Sequence, residues 1–254
     1  MRHGITLAGL ISLLAAGPLM AQDRLLNFSL RGGVGVAPAY PGADDFEVSP
    51  DLGIQFGALR WGRIDIGNGV RALPDNGLSL GGAFRVLGDR DVADNPKLTG
   101  LDDIDTAVEL GVRLTYQETN WMVFGEVRQG FVGHHGVTGT LGGDLIFRPD
   151  ERLTITAGPR LSMGNSEFAR TYFGVTPAQA AASTFGAFDA SGGLLGAGVQ
   201  IGATYTLDEN WAIEGALNYE RLQGDAADSP ITLGGSRDQV SLRIGVSRQF
   251  NLRF

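Results

Sequence analysis

Segments of about ten residues in which every second side chain is apolar recur along this chain, each followed by a turn. One of them runs to the final residue: Leu242, Ile244, Val246, Phe250, Leu252 and Phe254 share one parity, against Ser241, Arg243, Gly245, Ser247, Gln249, Asn251 and Arg253 on the other. A period of two is the signature of a β-strand whose faces meet different surroundings. Terminal residues of most domains fray. Here the alternation persists to the end, so the terminus is expected to lie within a sheet.

The same unit repeats upstream. Leu26, Phe28, Leu30, Gly32, Val34 and Val36 alternate with Asn27, Ser29, Arg31, Gly33 and Gly35. Val108, Leu110, Val112, Leu114 and Tyr116 alternate with Glu109, Gly111, Arg113 and Thr115. Further strands are predicted near 51–56, 78–87, 121–132, 137–148, 153–163, 194–206, 211–222 and 238–254. Beyond the first residues no sustained 3.6-residue period is found. The exception is "TPAQAAAS", where Thr176 can cap and Pro177 suits the first helical position, which predicts one or two helical turns inside a loop.

The front of the chain is different in kind. Arg2 and His3 precede the apolar run Ile5 to Ala16, and "GPLMA" follows. This reads as a signal peptide over residues 1–21, leaving 22–254 as one barrel unit. The run is shorter than the roughly 20 residues that span a bilayer as a helix. There are 39 glycines, about twice the usual share, with no collagen period. They sit inside the alternating segments, where small residues allow bends and close approaches. Cysteine is absent and the formal net charge is −8, which argues against nucleic acid as a partner.

Connections come in two sizes. "QETN", "RPDE" and "LDEN" are tight, whereas 41–50, 88–104, 164–193 and 223–237 are long. Aromatics frame the tight turns: Tyr116, Trp121, Phe147, Tyr205 and Trp211. Alternating strands, turns of two lengths and aromatic girdles predict an all-β fold, a transmembrane antiparallel β-barrel of the bacterial outer membrane. The competing reading is a soluble β-sandwich or lipocalin-like barrel, whose apolar face would point inward. Counting back from the terminus predicts 12 strands, with 10 as the alternative. The count of 12 needs a hairpin at Gly67-Asn68-Gly69. A sheet edge cannot stay open in hydrocarbon, so the last strand must pair with the first. Phe250, Leu252 and Phe254 then form the closing end, an assembly signal for the barrel-assembly machinery. The outer face would lie against outer-membrane lipid and lipopolysaccharide.

Four stretches carry a resemblance. "GVGVAPAYPGADDFEVSPDL" (Gly33 to Leu52), "LTGLDDIDTAVELG" (Leu98 to Gly111), "YFGVTPAQAAAS" (Tyr172 to Ser183) and "RLQGDAADSPIT" (Arg221 to Thr232) are similar to signatures of the MipA/OmpV family of outer-membrane proteins. The resemblance implies a barrel. It also implies a scaffold role with a murein lytic transglycosylase and a penicillin-binding protein as partners, or, as in other members, a porin-like channel. It brings no catalytic residues and no cofactor.

Parity turns charged side chains inward. Arg31, Arg85, Glu109, Arg113, Glu126, Arg128, Asp144, Arg160, Glu214 and Arg243 are the candidate lumen-lining residues. They allow either a ladder of ion pairs that fills the barrel or a narrow polar pore. Gly111, Gly142, Gly158, Gly196, Gly198, Gly202 and Gly245 are expected to leave that face underfilled, which favours a wet lumen. His134 and His135 read as an incidental loop pair, and no catalytic, cofactor or metal site is assigned. The aspartates of 88–105, with Asp44, Asp45 and Glu47, read as a solvated rim. Arg248 has lipid-facing parity and is expected near mid-membrane, where it would need a bulge or a partner.

Overall fold

The computed structural model describes residues 24–61, 64–66 and 76–253. Their strands are β1 (Leu25–Pro38), β2 (Phe46–Trp61), β3 (Ile64–Ile66), β4 (Gly77–Leu87), β5 (Ala107–Gln117), β6 (Trp121–Val132), β7 (Val137–Phe147), β8 (Leu153–Gly164), β9 (Gly193–Thr206), β10 (Trp211–Leu222) and β11 (Asp238–Arg253). The predicted signal peptide, the hairpin at 67–69 and Phe254 lie outside the described residues.

Ten of these strands are 11 to 16 residues long, and β3 has three. A membrane-spanning strand needs about 9–11 residues. Among the described residues the barrel therefore has ten spanning strands, the alternative count, and not 12: β3 pairs with the end of β2 but is too short to cross. From β4 to β11 each strand pairs antiparallel with the next, and β11 pairs with β1 from Leu25↔Arg253 to Val36↔Leu242. The chain ends thus meet inside the sheet. Phe28 and Phe250 stack across this closure with ring centroids 5.1 Å apart. Leu26 faces Leu252 in the same ladder. Among the described residues no ladder joins β2 to β4, although both belong to the same wall.

Burial is inverted relative to a soluble protein. Val34, Leu52, Leu78, Val112, Leu145, Leu217 and Ile244 are exposed on the outside. Asn27, Ser29, Glu109, Arg128, Asp144 and Ser247 are buried. A soluble barrel would place the aliphatic parity inward. A continuous exposed aliphatic band belongs in lipid.

The tight turns have a local chemical cause. Asp150 Oδ1 accepts from the amides of Arg152 (2.7 Å) and Leu153 (2.9 Å), and Asp208 Oδ1 does the same for Asn210 (2.8 Å) and Trp211 (2.9 Å). An aspartate that bonds the backbone two and three residues on closes the turn without help from the rest of the fold. Arg248 is found at this end. It pairs with Trp211, the first residue after a tight turn, and its guanidinium lies 5.2 Å from the Trp211 ring and 5.0 Å from the Phe250 ring. It sits at the girdle rather than near mid-membrane, and two aromatic faces partner it.

The long-loop end is folded. It carries α1 (Ser166–Phe173), α2 (Pro177–Ala182), α3 (Gly224–Asp228) and α4 (Pro230–Leu233). Thr176 and Gln179 form a capping box at α2, the helix predicted from sequence. Helix α1 was not predicted. Asn165 caps it by accepting from the Phe168 amide, and it buries Phe168, Ala169, Tyr172 and Phe173. These join Ile104, Leu195 and Leu222 in one apolar cluster, while Tyr40, Leu98, Leu101, Val175 and Ile231 form a second. The loops therefore make a packed cap over the barrel mouth, with Asp44, Asp45, Glu47, Asp89, Asp94, Asp102, Asp103 and Asp105 exposed at its surface.

Candidate functional site

The inward parity of β4, β5 and β6 brings Arg85, Glu109 and Arg128 side by side beneath the cap. Glu109 is fully buried. Its carboxylate accepts from Arg85 (2.8 and 2.7 Å), Arg128 (2.9 Å) and Thr138 (3.0 Å). His134 Nε2 stands 3.1 Å from the same carboxylate. His134 Nδ1 accepts from the Gly136 amide at 3.1 Å, so the ring proton sits on Nε2 and points at Glu109. The other edge of the imidazole meets Phe168 (5.1 Å) and Tyr172 (5.6 Å) of α1. His134 is therefore the link between the charged interior and the cap, not an incidental loop residue. His135 is exposed. His134 lies in the β6–β7 turn, and only the β5–β6 register, which sets Glu109 opposite Gly130, brings it to Glu109.

Below this cluster Arg128 also pairs with Glu126, and Arg113 Nη1 approaches Glu126 at 3.6 Å. Arg113 lies 3.5 Å over the Phe124 ring, and Arg160 approaches the same ring at 5.0 Å. Arg160 bonds both carboxylate oxygens of Asp144 at 2.9 Å. Phe124, an inward aromatic that charge-based reading passed over, thus packs the interior between β5 and β8. On the other side Arg31 holds Asp51 through two bonds (2.7 and 3.2 Å) and reaches Glu214 at 3.5 Å. Arg243 faces the same space.

The inward glycines do not leave room. A Cβ at Gly111 would collide with the Val127 carbonyl oxygen, and one at Gly158 with that of Gly143. At Gly142 it would strike the Phe124 ring, and at Gly196 the Glu220 carboxylate. These glycines mark close strand contact and packing under large side chains. The expectation of an underfilled face is overturned for this half of the interior. A cavity of about 540 Å³ remains on the other side, between β1, β2, β4, β5 and β11.

Burial holds the His134 pKa below its ordinary value, outweighing the pull of Glu109. Burial also pushes the Tyr172 hydroxyl, which has no hydrogen-bond partner among the described residues, up to about 12. A histidine whose folded pKa is lowered contributes stability that is complete above its unfolded value of about 6.5 and declines as pH falls below it. Glu109, Arg85, His135 and Tyr172 face the ring, and added positive charge there is opposed by the Arg85 guanidinium. The temperature at which the barrel loses its compact gel mobility should drop between pH 7 and pH 5. The drop should be smaller in His134→Gln. Equal drops would show that acid acts elsewhere.

At the rim, Lys97 Nζ donates to Asp44 (2.7 Å) and Asp45 (3.4 Å), which keeps the Asp44 carboxyl below the usual range. Among the described residues no three His, Asp or Glu side chains gather as a metal site.

An antiparallel barrel that is apolar outside, ion-paired inside and capped at one end is a membrane β-barrel protein. The chain belongs to the family described as MltA-interacting protein MipA, whose sequence model matches residues 30–250. No curated protein matches the chain significantly. Among solved structures it is similar to an outer membrane channel from Pseudomonas putida F1, at 11% identity, with 91% of this chain and 97% of that one covered and a TM-score of 0.43. It is also similar to the NanC porin (11% identity, 89% and 98% covered, TM-score 0.38). A third is the outer membrane protein OprG from Pseudomonas aeruginosa (15% identity, 89% and 97% covered, TM-score 0.30). These likenesses are distant, and the assignment rests on the family match.

Proposed function

We propose that this outer-membrane barrel is a non-enzymatic anchor that docks a murein lytic transglycosylase, with a penicillin-binding protein as a further partner, at its tight-turn face in the periplasm. On this reading residues 1–21 are removed on export, the barrel-assembly machinery inserts the chain, and lipid and lipopolysaccharide surround the apolar band. The observation that carries it is the capped and cross-tied interior. Helices α1–α4 cover one mouth, and Glu109 ties three strands and the cap together. Such a barrel suits a fixed platform better than a conduit. The family description, which names an interaction with MltA, supports the choice of partner.

Photo-crosslinkers placed at Thr119, Glu151 and Glu209 in the tight turns should capture the transglycosylase in cells, and one at Ala181 in the cap should not. A correctly assembled barrel that yields no such adduct would remove the scaffold reading. The second reading is a narrow channel, favoured by the cavity of about 540 Å³. It requires conductance in a planar bilayer, whereas the scaffold reading expects almost none.

A further inference from the structure

The remaining cavity is bounded in an uncommon way. Arg31, Arg113 and Arg243 line it from the inner face. Its lining also includes Leu52, Ile54 and Leu80, whose side chains are exposed on the outer face. A cavity behind a continuous wall touches only the inner side of each strand, because side chains alternate between faces. This one reaches both faces of β2 and β4. The reason is the seam between those strands, which no ladder closes among the described residues. The seam lies within the apolar band. There Gly81 and Gly82 of β4 lie against the carbonyl oxygen and the Cβ of Phe56 and add no side chain of their own.

The inner end of the cavity is cationic. Asp51 and Glu214 are both engaged by Arg31. Arg243 makes no hydrogen bond or ion pair among the described residues, although it faces the same two carboxylates. Four arginines (31, 85, 113 and 243) line this space against three carboxylates (51, 126 and 214). One further negative charge would balance them, and guanidinium groups bind carboxylates and phosphates by directed hydrogen bonds. The volume lies within the range of about 300–1,000 Å³ that holds small organic ligands.

We propose that this cavity binds the anionic head of a single-chain amphiphile, which enters from the membrane through the β2–β4 seam while its hydrocarbon chain rests against Leu52, Ile54 and Leu80. The head reaches Arg243, with Arg31 beside it on the same wall. The tail stays at the height of the lipid, so the ligand need not pass the cap. This site does not depend on the scaffold reading.

The chain has no cysteine, so a single reporter can be installed at will. Ser79→Cys, on the cavity wall, would carry a small fluorophore in the full-length protein reconstituted in neutral phosphatidylcholine vesicles. Spin-labelled stearate should quench it saturably. Its methyl ester, which partitions into the same bilayer without the charge, should quench only in proportion to its concentration. Butanoate, a water-borne carboxylate, should not compete. Arg243→Gln should weaken the saturable quenching by about tenfold or more, as expected for loss of a charge-assisted hydrogen bond, and Arg243→Lys should restore most of it. Equal behaviour of acid and ester would overturn the anionic head. Competition by butanoate at the same concentrations as stearate would overturn entry from the membrane. Unchanged quenching in a folded Arg243→Gln protein would overturn the assigned residue. Should that variant not fold, the acid and ester comparison on the parent protein decides the proposal.

Discussion

Glu109→Ala should lower the unfolding free energy of the barrel by about 3–5 kcal/mol, the range for removing one partner of a buried charged network. The side chain is wholly enclosed, and its loss leaves Arg85 and Arg128 without their shared acceptor. Arg128 keeps Glu126, so the greater strain falls on Arg85 and on the cap, through His134. Urea unfolding in detergent, followed by the gel shift between compact and extended forms, would measure it. The sequence-based alternative of a wet lumen makes the opposite forecast, since water would solvate the orphaned guanidiniums. A change under about 1 kcal/mol would therefore favour a hydrated interior at this point.

The second large effect concerns assembly. Gly111→Val should abolish the folded barrel, because its Cβ would occupy the position of the Val127 carbonyl oxygen in the neighbouring strand. That atom is backbone and cannot swing aside as a side chain could. Either the β5–β6 ladder opens or the strand shifts, and a one-residue shift would turn every charge in β5 toward lipid. Gly32→Val is the matched control. Gly32 faces outward on β1, and a Cβ there meets nothing within 4 Å. It should assemble normally. Outer-membrane levels of heat-modifiable protein would report both, and normal assembly of Gly111→Val would show that the strands are less closely apposed than described.

Much of the architecture was legible because a barrel in lipid makes its demand residue by residue. Each strand must show hydrocarbon one face and the interior the other, so the period of two is written into the chain, and strands such as β6 and β10 begin and end where the alternation does. Turns closed by Asp150 and Asp208 were equally visible, since their bonds are local. Strand count was less legible. Between β2 and β4 the sequence has strand-like residues, but those described there form only the three-residue β3. Alternation says which residues favour a strand, not whether two short strands can reach across a bilayer.

The sequence by itself determined the class of fold, the inward set of charges and the apolar outer band, because each follows from chemistry carried by single residues and their parity. Tertiary structure alone decided which charges meet. Arg85, Glu109, Arg128 and His134 are separated in the chain and come together only through the registers of β4, β5, β6 and β7. It also decided that the inward glycines are crowded rather than empty, because the distance between neighbouring strands is set by pairing and not by composition. Helix α1 belongs with these. Its eight residues are too few to declare a helix in water, and its stability comes from burying Phe168, Tyr172 and Phe173 against loops contributed by distant parts of the chain.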